Sequence, residues 1–255
     1  IHLLNLGGVA GICTSENFRE VGHALKIKVL GAITGGNDLT EPLNINQFTL
    51  FSAKDSIKSK IPLIIISGTC MNVGKTSVAC EVIKHLTREG LKIYSAKLAG
   101  IAAQRDTENM KDYGAKKAVS FVDAGFTSTV NNGSRSVAVT KGAIDYLSKD
   151  KPDYIVIEFG DGVFGEYGVM DILRDHEIQE DIKIHIGCAH DPMGAAKLVQ
   201  VCAEIGAPLD FVSGPVTDNS VGISFVERTL KIPAINALAY EEDSLTKILE
   251  ACLKK

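Results

Sequence analysis

From residue 62 onward, short runs of β-branched apolar residues alternate with longer segments in which apolar residues recur at helical spacing. The predicted strands are 63–67, 92–97, 154–158, 182–187, 210–214 and 233–237. The predicted helices are 75–89, 136–149, 192–205, 220–230 and 241–253, with a less regular one near 108–123. Apolar strands that alternate with helices indicate a parallel sheet covered on both faces. The pattern therefore predicts an α/β fold with a doubly wound, mostly parallel sheet.

A sheet of this kind binds ligands beyond the carboxyl ends of its strands. The loops at that edge are 67–75, 98–107, 159–168, 188–192 and 214–219. We therefore expect these loops to converge on one site. In the fourth of them, Asp191 and Pro192 are predicted to cap and to begin the helix that follows.

The first 55 residues show a different pattern. The segments "HLLNLGG", "ALKIKVLGAITGG" and "INQFTLF" are strand-like and are separated by Gly, Asn and Asp, without a helical window. We predict a small β-rich module over residues 1–55 and a main domain over 60–255, joined through the polar stretch 52–60. The glycines of "NLGGVAG" are interpreted as turn residues, because no helix follows them as a dinucleotide-binding fingerprint requires.

Composition and charge exclude several classes of protein. The chain has 255 residues, 45% of them hydrophobic and 23% charged, with a formal net charge of −4. This charge gives no basic surface for nucleic acid, and the apolar runs are too short to cross a membrane. No secretory signal opens the sequence, and the six cysteines are scattered without a CxxC pair. These features are typical of the reducing cytoplasm, which is the predicted location.

One group of residues has the composition of a metal site. His185, Cys188 and His190 lie close together in "IHIGCAHD". Without a CxxC or HxxxH partner, however, a buried strand end is the favoured interpretation of this segment.

The segment "SGTCMNVGKTS", residues 67–77, connects the first predicted strand of the main domain to a predicted helix. The pattern G-x-x-x-x-G-K-[ST] requires Gly at position 69, where this chain has Thr69, with Gly68 one place earlier. The remainder of the pattern, Gly74-Lys75-Thr76, is present. The order of strand, loop and helix predicts a phosphate-binding loop, which we call the phosphate loop (residues 67–77).

The chemistry of this loop follows from its residue types. Backbone N–H groups at a helix N-terminus bind phosphate, and Lys75 places a positive charge on the β- and γ-phosphate oxygens. The hydroxyl of Thr76 is a ligand for Mg²⁺. Gly68 and Gly74 permit backbone angles that a side chain forbids.

Three motifs resemble those of dethiobiotin synthetase and the related cobyrinic acid diamide synthases. The sequence from Gly68 to Thr76 is similar to their loop, G-T-x-x-x-V-G-K-T. "AKLAG" (96–100) is similar to their K-P-x-x-x-G element, with Leu98 in place of Pro. "IVIEFGDGVFGEYG" (155–168) is similar to their strand end V-E-G-A-G-G, with Phe159 and Asp161 as departures. The motifs occur in the expected order.

The chain also resembles the DUF1611 family of P-loop proteins. Members carry an N-terminal domain before a loop of the type G-T-D-x-x-V-G-K, and "RDTENMKDYGAKKAVSFVDAGFTS" is similar to the segment after their second strand. Some members are linked to D-glutamate N-acylation. This resemblance implies a different reaction from that of the synthetases.

The resemblance implies ATP and Mg²⁺ as cofactors and assigns roles to individual residues. It implies catalytic roles for Lys75, Lys97 and Glu158, and metal binding by Thr76, Asp106 and Glu158. The implied nucleotide-binding residues are Gly68, Thr69, Asn72, Val73, Gly74, Lys75, Thr76, Ser77 and Asn219, the last as a contact to adenine. Alternatives from the residues alone are a solvated charge for Lys97 and a helix N-cap near Glu108 for Asp106.

The expected function is an ATP- and Mg²⁺-dependent enzyme that activates a small carboxylate by phosphorylation. Arg135, in the polar loop 125–136, is a candidate to hold an acidic substrate, and a homodimer is a further expectation from the resemblance. One alternative is a DUF1611-type N-acyltransferase. Another is a nucleotide-switched regulator or metallochaperone, although "SGTCMN" lacks the extra Lys of the ParA/MinD loop. The guanine-reading tetrapeptide N-K-x-D is also absent from the sequence.

Overall fold

The computed structural model describes residues 1–35, 40–131, 133–239 and 242–254. A six-stranded sheet forms the centre of the main domain. Its strands are β1 (Leu63–Gly68), β2 (Ile93–Ala99), β3 (Lys117–Ser120), β4 (Tyr154–Phe159), β5 (Ile182–Cys188) and β6 (Phe211–Ser213). The order across the sheet is β6-β5-β1-β4-β2-β3, and every neighbouring pair is parallel. The predicted doubly wound α/β fold is confirmed.

Helices cover both faces of this sheet. They are α1 (Lys75–Arg88), α2 (Gln104–Asp112), α3 (Gly133–Ser148), α4 (Val169–Arg174), α5 (His176–Asp181), α6 (Pro192–Glu204), α7 (Ser220–Phe225) and α8 (Glu242–Leu253). Alternate residues of each strand point to opposite faces. Leu63 and Ile65 therefore pack toward α3–α7, whereas Ile64 and Ile66 pack toward α1, α2 and α8.

The predicted helix near 108–123 is wrong beyond its first turn. Helix α2 ends at Asp112, and Gly114 follows with a φ of 119°, in the left-handed region that favours glycine. The chain then forms the edge strand β3 and a 3₁₀ turn, Phe121–Ala124. The Ala- and Lys-rich composition of this segment is typical of a helix, and strand pairing with β2 overrides it.

The predicted strand 233–237 is reduced to a single bridge. Val212 donates its N–H to the carbonyl of Pro233 and accepts from the N–H of Ile235, beside an isolated parallel bridge to Ala234. Proline has no N–H to extend such a ladder. The predicted helix 241–253 is observed from Glu242, and Glu241 lies outside the described residues.

The described part of the first 50 residues forms short antiparallel pairs, in agreement with a small β-rich module, but it also contains one helical turn, Phe18–Val21, that the sequence pattern did not predict. His2–Leu3 pairs with Ala10–Gly11 and with Leu25–Lys26, and Thr34–Gly35 pairs with Glu41–Pro42. The predicted strand in "INQFTLF" is wrong, because Ile45–Phe48 is a 3₁₀ turn. Asn44 and Gln47 cap that turn reciprocally, which favours a helical over an extended backbone. The predicted segment that ends at Gly36 lies partly outside the described residues.

The polar stretch after this module lies against α3. Phe51 is buried in the core and stacks on Tyr146, with ring centroids 5.6 Å apart. The N–H groups of Lys54 and Lys58 donate to the carbonyl of Ala138 and to a carboxylate oxygen of Asp145, at 2.8 and 2.7 Å. This stretch is therefore fixed to the main domain rather than extended through solvent. None of the helices described is both long enough and apolar enough to cross a bilayer.

Candidate phosphate-binding site

The phosphate loop connects β1 to the first residue of α1. Asn72 and Gly74 have φ angles of 59° and 83°, in the left-handed region. Left-handed residues in a turn favour concave arrangements of N–H groups that bind anions. Helix α1 begins at Lys75, directly after Gly74, so the partial positive charge of its N-terminus lies at the same place. The backbone of the loop has the form that phosphate binding requires.

Gly68 is required by close packing. A Cβ at this position would lie 2.9 Å from the carbonyl oxygen of Cys188 and 2.9 Å from a methyl group of Val73. The next residue, Thr69, donates its N–H to the same Cys188 carbonyl at 3.0 Å. The loop is thus anchored to the end of β5. Close packing explains why the glycine is at position 68 rather than at position 69 of the usual pattern.

Lys75 is buried within the loop. Its Nζ donates to the carbonyl oxygen of Cys70 at 2.6 Å, and burial lowers the pKa of its ammonium, with Glu158 opposing the shift. Among the described residues, no carboxylate forms an ion pair with Lys75. The charge of this buried ammonium is therefore not neutralised by an ion pair, and an anion in the loop would stabilise it.

Thr76 and Glu158 meet at the carboxyl end of β4. The hydroxyl of Thr76 donates to Oε1 of Glu158 at 2.7 Å. Oε2 of Glu158 is buried and has no hydrogen-bond partner in the described part of the chain. Burial raises the pKa of this carboxyl, whereas the charge of Lys97 opposes the increase. A carboxylate oxygen without a partner beside a threonine hydroxyl fits Mg²⁺, which prefers one or two carboxylates plus phosphate oxygens.

Lys97 and Asp106 form a buried ion pair next to Glu158. Lys97 lies opposite Glu158 in the register of β2 and β4, and its Nζ contacts a carboxylate oxygen of Asp106. The alternative of a solvated charge is wrong, because the side chain of Lys97 is only 7% exposed. The N-cap alternative for Asp106 is also wrong, because α2 begins earlier, at Gln104, and Asp106 lies inside its first turn.

The glycine-rich loop after β4 packs on the phosphate loop. Val163 donates its N–H to the carbonyl of Gly68 at 2.9 Å. A Cβ at Gly162 would lie 2.2 Å from the carbonyl oxygen of Thr69, and one at Gly165 would lie 1.9 Å from a carboxylate oxygen of Asp161. Gly162 therefore lets the two loops approach each other, and Gly165 makes room for the side chain of Asp161 within its own loop.

The segment after β6 also reaches the phosphate loop. Gly214, which the sequence reasoning missed, has a φ of 89°, and a Cβ there would lie 2.7 Å from the carbonyl oxygen of Val73. Its position at the end of a predicted strand, in a loop expected to reach the site, was the feature of the sequence that could have indicated its role. Asn219 caps α7, since its Oδ1 accepts from the N–H groups of Val221 and Gly222. Ser77 is exposed in the first turn of α1.

The structure separates the residues of the candidate metal cluster. His185 is buried between Ser67 and the carbonyl of Ala207, whereas Cys188 packs into the core on the opposite face of the sheet. His190 is exposed. Within the described ranges, no group of three His, Cys, Asp or Glu side chains is arranged to hold a metal ion. The predicted capping of α6 by Asp191, with Pro192 as the first residue, is confirmed.

Comparison with known proteins supports the fold. The structure is similar to that of a DUF1611-family protein from Anabaena variabilis, with a TM-score of 0.53, 14% identity, and coverage of 80% of this chain and 63% of that chain. It is also similar to the signal recognition particle receptor FtsY from Elizabethkingia anophelis (TM-score 0.50, 12% identity, 82% and 70% coverage). This is the P-loop NTPase fold.

The sequence comparisons add no family assignment, because no protein-family model and no curated protein matches this chain. The identities to the two solved structures are low, so these similarities concern the fold alone. The resemblance to dethiobiotin synthetase therefore depends on the three sequence motifs, and activity has to be argued from the site.

Proposed function

We propose that this protein binds ATP with Mg²⁺ at the phosphate loop and transfers the terminal phosphoryl group to a small carboxylate substrate. The observation that carries the proposal is the buried carboxylate of Glu158. One of its oxygens accepts from Thr76, and the other has no partner among the described residues. A buried carboxylate oxygen without a partner is destabilising, and a cation bound to it would remove that cost.

Each residue of the site has a defined part in this proposal. The N–H groups around Gly74 and the ammonium of Lys75 hold the phosphates, while Thr76, Glu158 and Asp106 hold Mg²⁺. When bound, Mg²⁺ neutralises charge on the phosphate oxygens. Lys97 supplies a second ammonium, preorganised by its ion pair with Asp106, for charge that develops on the transferred group.

The preference for ATP and for an acidic substrate follows from residues at the edge of the site. No N-K-x-D tetrapeptide is present to bind guanine, and we assign the base contact to Nδ2 of Asn219. The side chain of Arg105 is 80% exposed, and its Nε lies 3.7 Å from a carboxylate oxygen of Asp106. At this position its guanidinium can bind a substrate carboxylate. Arg135, whose guanidinium lies 4.5 Å from the ring centroid of Phe126, is a second candidate.

A homodimer across this edge of the sheet is part of the proposal. Exposed apolar side chains follow the ends of the strands around the phosphate loop, namely Met71, Phe164, Met193 and Val221. Exposed apolar side chains at the same edge of a sheet favour a protein contact there. Sedimentation should therefore show a dimer in the presence of nucleotide, and replacement of Phe164 and Met193 by Ser should give a monomer. A wild-type protein that stays monomeric with nucleotide would contradict this part.

The reaction is tested by ADP release from ATP in the presence of a panel of small carboxylic and amino acids. We expect release to depend on one class of acid. Lys97→Met should abolish this release yet still bind ATP, because Lys75 and the loop amides remain. Release that is equal with and without every acid would instead indicate a nucleotide-switched regulator.

The second candidate is an N-acyltransferase, which is suggested by the resemblance of the sequence motifs to the DUF1611 family. Consumption of acyl-CoA with an amino acid acceptor, without release of ADP, would identify this activity. The same acid panel serves both assays, so one set of samples separates the two reactions.

A further inference from the structure

A second pocket lies outside the phosphate loop. It has a volume of about 580 Å³ and is formed by residues 49–59 and the second half of α3. Helix α3 ends at Ser148, shortly before β4 begins at Tyr154. The part of the pocket formed by the end of α3 is therefore toward the amino edge of the sheet, whereas the phosphate loop is at the carboxyl edge.

The backbone of this pocket is held in place. A Cβ at Gly142 would lie 2.1 Å from the carbonyl oxygen of Ser52, so glycine is needed for the segment to lie on α3. Lys54 donates its N–H to the carbonyl of Ala138, and Lys58 donates its N–H to Asp145. The Cα atoms of both lysines are thereby fixed on one side of the cavity.

The pocket concentrates positive charge. Lys54, Lys58 and Lys149 line it, and its single lining carboxylate, Asp145, already accepts from the N–H of Lys58. Nearby Lys60, Lys117 and Lys141 each form ion pairs with carboxylates. The structure records no ion pair for the ammonium groups of Lys54, Lys58 or Lys149 with any described residue. The protein as a whole has a formal net charge of −4, so this concentration of positive charge is confined to the pocket.

The remaining groups define the ligand. Hydroxyls of Thr49, Ser52 and Ser59 line the same cavity and can donate hydrogen bonds. The ring of Tyr146 is already in contact with Phe51 and with the ammonium groups of Lys117 and Lys149, so it is not free to stack on a nucleobase. Flexible ammonium groups with hydroxyls bind phosphate as point charges. We propose that this pocket binds a small, multiply charged anion that carries phosphate groups.

The experiment uses the Lys75→Ala protein, in which the phosphate loop has lost its ammonium group, so that anion binding at that loop is weakened in every sample. Inorganic pyrophosphate and glycerol 3-phosphate are titrated by calorimetry, to separate a free polyphosphate from a phosphorylated organic ligand. We expect at least one of them to bind. Adding Lys54→Gln and Lys58→Gln should weaken that binding about tenfold, which corresponds to two partly exposed ion pairs. Adding Lys28→Gln and Lys247→Gln, two exposed lysines outside the pocket, should leave it unchanged.

A second measurement identifies the binding residues directly. Bound anion should slow acetylation of Lys54, Lys58 and Lys149 but not of Lys28, as measured by mass spectrometry of the labelled protein. The proposal is overturned if neither anion binds, if both pairs of substitutions weaken binding equally, or if the three lysines gain no protection. Because every protein in the comparison carries Lys75→Ala, a difference between the two pairs of substitutions reports on the pocket and not on the phosphate loop.

Discussion

Substitution of His185 by Gln tests whether this residue has a structural role. Its Nδ1 donates to the carbonyl of Ala207 and its Nε2 accepts from the hydroxyl of Ser67, both at 2.8 Å. Burial lowers the pKa of His185 from 6.5 to about 4. The neutral imidazole therefore bridges β1 to the chain before β6, beneath the phosphate loop.

The sign and size of the effect on stability follow from this pKa. Between pH 6.5 and about 4 the unfolded chain binds a proton at His185 that the folded chain does not. The contribution is fully present above the unfolded pKa and is lost as the pH falls toward the folded pKa. The difference between the two values corresponds to ~3 kcal/mol in total, of which ~2 kcal/mol is lost by pH 5.

Urea unfolding at pH 8 and pH 5 measures this loss. A Gln amide can donate to Ala207 and accept from Ser67 but does not titrate, so wild type should lose ~2 kcal/mol more than His185→Gln between the two pH values. His176→Gln, at an exposed position, should show the pH dependence of the wild type. Equal losses in wild type and His185→Gln would refute the assignment of a buried, neutral histidine.

Two further substitutions test the packing around the site. Gly162→Ala would place its Cβ 2.2 Å from the carbonyl oxygen of Thr69, and it should lower the free energy of unfolding by ~1–3 kcal/mol in thermal denaturation. Asp106→Asn leaves the buried ammonium of Lys97 without its carboxylate and should destabilise the protein by ~3 kcal/mol in urea unfolding. The double variant Lys97→Met/Asp106→Leu should recover part of that loss, because the ammonium of Lys97 is removed together with its carboxylate partner.

Each of these predictions has a control. Gly31→Ala, at a glycine with open space around its Cβ position, should melt close to the wild-type temperature. A Gly162→Ala protein with the same melting temperature as Gly31→Ala would show that the two loops are not in close contact. An Asp106→Asn protein as stable as wild type would show that Lys97 does not need the ion pair.

Much of the fold could be predicted from the sequence because the central strands are apolar on both faces. β1, β2, β4 and β5 are each close to their predicted bounds. The edge strand β3 was missed, since its four residues, Lys117–Ser120, contain Lys and Ala, which are common in helices. An edge strand with solvent on one side carries a weaker apolar signal than a central one.

The parts of the site that consist of neighbouring residues in the sequence were predictable from their spacing. The contacts between residues far apart in the sequence were not. The spacing of Gly74, Lys75 and Thr76 indicates the phosphate loop directly. The hydrogen bond between Thr76 and Glu158 joins residues 82 positions apart, and no spacing rule reaches that far. Motif resemblance proposed this pair, and the structure brings the two side chains together.

The most direct test of the central proposal is calorimetry of ATP and GTP with Mg²⁺ on wild type and on Lys75→Ala. We predict that the wild type binds ATP more tightly than GTP, and that Lys75→Ala weakens ATP binding at least about tenfold, as expected for loss of a charged phosphate contact. Absence of nucleotide binding by the wild type, or equal ATP affinity in the two proteins, would contradict the account.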